Sequence, residues 1–303
     1  TSGNAPWYSI RSADVETGSP ATWTGGIPDA IGDNLRVKIA ITGQGLPAAL
    51  ELTDPSDSDF KIRGVLHITS PIVSSVWVVQ KQDYDITWTR DANANSMGNL
   101  KILYSTNGTS FPDPGNLIAT VAPADSPKSW RIPDVAGIIT DTAKIKIVPA
   151  SADPDLTDMA VISTDPFKIT GELTVTRPVK TSGSTWYVGT NENIEWSGYG
   201  VLAIPKVDIY YDINSGSGGY PPENKITPTG GASNLGAFQW TNIPNIIGDK
   251  VRLKIEGVSH TDIADTAPTG ANNVTVKGKV TLSYPSAASI VLIRGRQYSI
   301  TWT

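Results

Sequence analysis

The sequence predicts an all-β protein made of consecutive β-sandwich domains, and three observations support this prediction. A set of motifs recurs at an interval of about 107 residues, apolar and polar residues alternate in short segments, and glycine and proline are abundant (28 and 22 of 303 residues). Alternation with a period of two is typical of half-buried strands, while glycine and proline favour the turns between strands. No segment shows convincing helical spacing.

The repeat is visible in three copies. Phe60-Lys-Ile-Arg-Gly64 recurs as Phe167-Lys-Ile-Thr-Gly171 and, more loosely, as Val274-Thr-Val-Lys-Gly278. The tryptophans follow the same order, in Ile86-Thr-Trp88, Ile194-Glu-Trp196 and Ile300-Thr-Trp302, and at Trp23, Trp130 and Trp240. Repetition at a fixed period indicates that one structural unit is used several times.

Each copy offers about seven short strands, which is typical of immunoglobulin-like or fibronectin-III-like sandwiches. Leu100, Ile102 and Tyr104 alternate with less apolar residues and predict one such strand. The chain has no cysteine, so the two sheets cannot be joined by a disulfide. We therefore expect Trp88 and Trp130, or their equivalents, to supply the central packing.

The positions of the motifs predict four domain segments. Residues 1–63 form the C-terminal part of one domain, 64–170 and 171–277 are complete domains, and 278–303 form the N-terminal part of another. We expect the natural chain to continue in both directions, or a neighbouring chain to complete each half. The single glycine Gly171 between two predicted strands indicates a semi-rigid array rather than a flexible tether.

The order Ile-Thr-Trp, Val-x-Ile-x-Tyr, Trp-x-Ile-Pro, Val-x-Ile and Asp-x-x-Phe-x-Ile-x-Gly resembles tandem bacterial Ig-like repeats of large cell-surface proteins. It is more distantly similar to the N-terminal domain of the Kre9/Knh1 cell-wall family. The resemblance implies an extracellular, cell-surface location and a role in stalks, fibres or adhesion, with no catalytic residues to carry over. The third copy departs from the pattern, since it has Leu292 and Val274 where the others have Trp186 and Phe167.

Composition and motifs argue against several other classes of protein. The net charge is −5 and there is no basic stripe, which disfavours nucleic-acid binding. No apolar run approaches the length that spans a bilayer. The two histidines, His67 and His260, occupy unrelated positions of the repeat, and no nucleophile elbow, phosphate loop or zinc-binding helix motif is present. We therefore predict that the chain is not an enzyme and that His67 lies on the surface.

Acidic loops are the best candidate sites, because calcium prefers oxygen-rich loops. The calcium candidates are Glu51, Asp54, Asp57, Asp158 and Asp265, of which Glu51, Asp158 and Asp265 keep the 107-residue register. The alternative interpretation is that these aspartates are ordinary solvated turn residues. No other cofactor is predicted.

Three functions fit these observations. The favoured hypothesis is a structural segment of a surface fibre or stalk, whose partners are neighbouring domains and other copies in a filament. The alternative is an adhesin or carbohydrate-binding array with many weak sites, for which Trp7 and Tyr8 are the one aromatic pair outside the core pattern. In a third hypothesis, the repeats are spacers attached to an enzyme elsewhere in a longer chain.

Overall fold

A computed structural model describes residues 27, 31–40, 53–91, 97–150, 158–287 and 289–303. This part of the chain is built from strands joined by turns, with a short 3-10 helix at Pro222–Asn224. The strands are β1 Gly32–Leu35, β2 Lys38–Ala40, β3 Thr53–Pro55, β4 Phe60–Ile62, β5 Leu66–Ser70, β6 Val76–Val78, β7 Tyr84–Arg90, β8 Leu100–Ser105, β9 Leu117–Val121, β10 Lys128–Trp130, β11 Thr140–Pro149, β12 Val161–Ile162, β13 Phe167–Thr170, β14 Glu172–Arg177, β15 Ser184–Tyr187, β16 Glu192–Tyr199, β17 Lys206–Asp212, β18 Ala232–Ser233, β19 Ala237–Trp240, β20 Gly248–Gly257, β21 His260–Ala267, β22 Val274–Lys277, β23 Leu282–Tyr284 and β24 Thr301–Trp302.

The described residues fall into two compact units. The first unit draws on Thr1–Ser75, Tyr84–Trp130 and Asp141–Lys168, and the second on Val76–Asp83, Arg131–Thr140 and Ile169–Thr303. Residues 76–83 and 131–140, which the repeat assigns to the first complete copy, thus belong to the second unit. The four predicted domain segments stay a prediction.

The first unit contains strands in the order β10-β7-β5 and, in a second sheet, β13-β11-β8-β9, with β12 beside β11. Alternation along β11 is regular, because Ala143, Ile145 and Ile147 are buried while the lysines between them are partly exposed. Trp88 is 4% exposed, and its indole Nε1 donates to the carbonyl of Pro123 at 3.1 Å. The ring of Trp130 lies 5.2 Å from that of Tyr104 in the other sheet. The predicted packing by Trp88 and Trp130 is confirmed.

The second unit repeats this plan. One sheet has the order β14-β16-β19, and the other has the order β15-β22-β20-β17-β18, with β21 beside β20. Strands β15 and β22 are parallel, whereas the other paired strands are antiparallel. Both sheets contribute to a single core, in which Trp186 meets Trp240 edge to face at 6.1 Å and Trp240 stacks on Tyr211 at 5.3 Å. Two sheets that share one core define a β-sandwich.

The predicted fold class is confirmed: the protein is all-β, built of immunoglobulin-like or fibronectin-III-like sandwiches without disulfides. Repeat positions also share backbone features, since the peptide bonds before Pro71, Pro178 and Pro285 are all cis. The third copy differs. Strands β23 and β24 pair with each other, and Trp302 is 64% exposed although its equivalents Trp88 and Trp196 are buried, because no second sheet covers it among the described residues.

Among the described residues, no helix has the length and apolar character needed to cross a membrane.

Candidate functional site

The candidate calcium ligands are spread over several places in the fold. Glu51 lies outside the described residues. Asp54 is an exposed residue of β3, opposite Ile39 of β2, and Asp57 is exposed in the bend that follows. Neither Asp54 nor Asp57 shares a hydrogen bond or ion pair with Asp158 among the described residues of the first unit.

Asp158 is engaged by an arginine. The Nε atom of Arg63 donates to both carboxylate oxygens of Asp158, at 2.7 and 2.8 Å. The same guanidinium pairs with Asp33 and approaches the carbonyls of Gly32 and Ile62 at 3.3 Å. The hydrogen bond that Arg63 donates to Asp158 raises the pKa of Arg63, outweighing the opposing effect of burial. An arginine held by two carboxylates and two carbonyls is typical of a structural cross-link.

Asp265, the equivalent residue of the second unit, is engaged by a lysine. Its Oδ2 accepts the backbone N–H of Val175 at 2.7 Å, and the ammonium of Lys180 lies 2.8 Å from Oδ1 and 2.6 Å from Oδ2. This carboxylate joins β21 to the neighbouring strand β14 and to the residues after Pro178. The repeat register thus preserves the acid, while the cation that binds it comes from a different position in each unit.

The described part of the chain contains no group of three or more His, Asp and Glu side chains that could hold a metal ion. Calcium stays a prediction, and a bound ion at Asp158 or Asp265 would have to compete with Arg63 or Lys180.

A second charged cluster was not anticipated from the sequence. It lies on the outer face of β17 and β20, and we call it the β17–β20 polar face: Asp208, Tyr210, Asp212, Arg252, Lys254 and Glu256. The cluster results from the alternation of side chains along β17. Val207, Ile209 and Tyr211 point into the core, so the residues between them face outward. The register places Asp208 opposite Glu256, Tyr210 opposite Lys254, and Asp212 opposite Arg252.

The two opposed carboxylates are each neutralised. Asp208 and Glu256 are both only 9% exposed, and like charges in directly opposite positions destabilise a strand pair. The ammonium of Lys225 lies 2.8 Å from Asp208 Oδ1, which also accepts the Thr227 hydroxyl at 3.1 Å, while Lys254 pairs with Glu256. The ion pairs therefore offset the repulsion between the two carboxylates. The contacts of Asp208 also attach Lys225 and Thr227 to the sheet.

Two tyrosines line this face. Burial raises the pKa of Tyr210, and the charges of Asp208 and Glu256 raise it further; its hydroxyl donates to Asp208 Oδ2 at 3.4 Å. Burial likewise raises the pKa of Tyr220, helped by Asp212 and opposed by Arg252. The Lys254 ammonium lies 5.9 Å from the ring centroids of both tyrosines. Asp208 and Glu256 are each paired to a lysine, and Asp212 accepts the backbone N–H groups of Asn214 and Gly216. The arrangement is therefore suited to holding a loop on a sheet rather than to proton transfer.

A comparison of the copies could have revealed this cluster. The first copy has Lys101, Leu103 and Ser105 where the second has Asp208, Tyr210 and Asp212. The change from Lys-x-Leu-x-Ser to Asp-x-Tyr-x-Asp is visible in the sequence, but the pairing of Asp208 with Lys225, which comes from the loop after β17, is not.

The remaining candidates lie apart from these clusters. His67 is exposed in β5, as predicted. His260 begins β21 and lines a cleft of about 420 Å³ with Ile204, Pro205, Lys206, Ser233 and Val258. Trp7 and Tyr8, the aromatic pair of the carbohydrate-binding alternative, lie outside the described residues.

The comparisons with known proteins show no family for this chain. No protein-family model matches the chain, and no curated protein matches it. Among solved structures, the fibronectin(III)-like modules of Clostridium thermocellum CbhA are 14% identical with a TM-score of 0.25, covering 71% of this chain and 95% of theirs. A D1-D4 ectodomain fragment of ICAM-5 is 10% identical with a TM-score of 0.34, covering 84% of this chain and 64% of its own. Structural and sequence similarity this low gives no information on what the chain binds.

Proposed function

We propose that this chain is a non-catalytic structural segment of an extracellular, cell-surface fibre or stalk. The observation that carries the proposal is that the residues repeated between copies are those of the core. Trp88, Trp130, Trp196 and Trp240 are all buried, and each belongs to a repeated motif. A chain that preserves its packing at each repeat and varies its outer faces is suited to a load-bearing or spacing role.

The polar clusters support the same proposal. Asp158, Asp265, Asp208 and Glu256 are each bound by an arginine or a lysine of the same unit. Charges that are paired in this way stabilise local structure, and a catalytic site would instead need a group free to exchange a proton. The resemblance of the repeat to bacterial Ig-like surface proteins supports the extracellular location.

Electron microscopy of native material tests this proposal. We expect extended rods or filaments with a regular axial spacing that corresponds to one domain. Compact, isolated particles in the native material would contradict a fibre or stalk, whatever the recombinant chain does.

An adhesin or carbohydrate-binding array is the second candidate, and exposed aromatic residues favour it. Tyr187 and Tyr199 are 41% and 39% exposed in the second unit. A glycan array probed with the wild-type chain, a Trp7→Ala/Tyr8→Ala variant and a Tyr187→Ala/Tyr199→Ala variant would locate such a site. Binding that survives both pairs of substitutions contradicts a platform built on these aromatics, and an array without binding contradicts carbohydrate recognition by this chain.

A further inference from the structure

The residues between β16 and β17 form a tight turn, 200–204, at which two backbone N–H groups find an unusual partner. Ile204 N–H donates to the Gly200 carbonyl at 2.8 Å and closes the turn, while Gly200 adopts a φ of +84° that side chains disfavour. The N–H groups of Leu202 and Ala203 both donate to the carboxylate of Asp134, at 3.0 Å to Oδ2 and 2.9 Å to Oδ1. One carboxylate therefore satisfies two backbone donors of the turn.

Asp134 comes from the other predicted copy. It lies between β10 and β11, in residues 131–140, which the repeat assigns to the first complete copy and which belong to the second compact unit. Hydrogen bonds to a charged acceptor are stronger than those between neutral groups. The chain thus uses a charged side chain of one copy to bind the backbone of the next.

Val79 and Lys81 also contact the turn, β14 and the last residue of β16. A Cβ added to Gly200 would lie 3.6 Å from Val79 Cβ, so the turn packs directly on Val79, which is fully buried. Lys81 pairs with Glu172, the first residue of β14, and its ammonium lies 5.9 Å from the ring of Tyr199. Val79 and Lys81, like Asp134, come from the first predicted copy and the second compact unit.

Glycine at the junction permits this close approach. A Cβ on Gly171 would lie 2.4 Å from Ile204 Cδ1 and 2.9 Å from the carbonyl oxygen of Tyr199. Distances below 3.0 Å are not tolerated without movement of the neighbours, and a backbone carbonyl cannot rotate away as a side-chain tip can. Any larger residue at position 171 would therefore push the turn from its place.

The equivalent position in the second copy lacks these contacts. Ile132-Pro133-Asp134 corresponds to Ile243-Pro244-Asn245, and no hydrogen bond involves the Asn245 side chain among the described residues. Ile247, two residues further on, is 64% exposed. Asn245 is therefore a natural control for Asp134.

We propose that Val79, Lys81 and Asp134 form a clasp that recognises the 200–204 turn and the strand β14 of the following copy. The clasp fixes the position of the start of the second copy. Its partner is thus another copy of the repeat with a glycine at the position of Gly171 and a turn that offers two N–H groups. The inference holds whether or not the chain forms a fibre.

Hydrogen exchange of the full 303-residue chain, followed by NMR at single amides, tests the clasp. We expect Asp134→Ala to speed exchange of the Leu202 and Ala203 amides about 10- to 100-fold, because two charge-assisted hydrogen bonds are lost. The matched substitution Asn245→Ala should leave both rates unchanged. Asp134→Asn retains one carbonyl acceptor and should protect one amide more than the other.

Two results would overturn the clasp. One is unchanged exchange at Leu202 and Ala203 in Asp134→Ala. The other is acceleration of the same size throughout the second unit, including Leu253 in the core of β20, since that would be general destabilisation. A charge exchange provides an independent check: Lys81→Glu should speed exchange at the start of β14, and Lys81→Glu combined with Glu172→Lys should restore it. Failure of the double variant to restore protection contradicts recognition through this ion pair.

Discussion

At the scale of single residues, the tryptophan of the Ile-x-Trp motif shows how one residue type acquires different roles in equivalent positions. Trp196 is 5% exposed and donates from Nε1 to Asn234 Oδ1 at 2.6 Å, while Asn234 donates onward to the Ile204 carbonyl. The indole therefore fills the core and also satisfies a buried amide. Trp302 has neither role among the described residues.

We expect Trp196→Ala to lower the free energy of unfolding of the second unit by about 3–5 kcal/mol, because it leaves a cavity and removes the partner of a buried amide. Guanidinium denaturation followed by far-ultraviolet circular dichroism measures this loss. Trp302→Ala is the matched control and should change stability by no more than about 0.5 kcal/mol. Equal losses in the two variants would contradict the assignment of Trp196 to the core.

The tyrosine of the β17–β20 polar face predicts a dependence on alkaline pH. Burial and the nearby acids raise the pKa of Tyr210 in the folded state above the ordinary value of about 10. The unfolded chain then loses the phenolic proton first, so the stability that Tyr210 contributes is complete below about pH 10 and is lost as the pH rises through the raised pKa.

Tyr210→Phe should therefore flatten the fall in unfolding free energy between about pH 9 and 11. Spectrophotometric titration of tyrosinate gives a second measurement, in which Asp208→Asn should move the pKa of Tyr210 back toward its ordinary value. An alkaline stability profile identical in the wild type and Tyr210→Phe would show that the hydroxyl is not held in the way described.

At the scale of elements, the pairing of β14 with β16 depends on an unusually close approach of two backbones. Gly198 stands opposite Leu173, and a Cβ at Gly198 would lie 2.0 Å from the carbonyl oxygen of Glu172. Glycine within a strand normally weakens it, and here the lack of a side chain is what lets the strands meet.

Gly198→Ala should destabilise the second unit by about 3 kcal/mol, since the added methyl group forces the paired strands apart. Chemical denaturation measures the loss. Gly115→Ala is the matched control, because its added Cβ would meet only Pro112 at 3.7 Å or more, which is ordinary contact. A Gly198→Ala protein as stable as Gly115→Ala would mean that β14 and β16 are less closely paired than described.

At the scale of the whole molecule, the melting temperature of the intact chain tests the calcium prediction. Calcium bound by the predicted carboxylates would raise the melting temperature at about millimolar concentration, as ligands that bind only the folded state do. Chelator should reverse the rise, and magnesium should not reproduce it. An unchanged melting temperature contradicts the prediction and leaves Asp158 and Asp265 as partners of Arg63 and Lys180 alone.

The fold class, the strands and the tryptophan core could be predicted from the amino-acid sequence alone, because these follow from local periodicity and from motifs that recur at a fixed interval. Ile86-Thr-Trp88 and Ile194-Glu-Trp196 predict buried strands through their own pattern, without knowledge of their neighbours. Trp302 carries the same pattern and is exposed, because burial also requires a second sheet to cover the residue.

The pairing of charged groups could not be predicted from the sequence and became visible in the folded chain. Arg63 and Asp158 are 95 residues apart in the chain, and Lys180 and Asp265 are 85 apart, so no local pattern could pair them. The same holds for Asp134, which the repeat assigns to one copy while its carboxylate binds the turn of the next. Such contacts depend on how loops approach each other once the sheets have formed, and that approach is fixed by packing rather than by the order of residues along a strand.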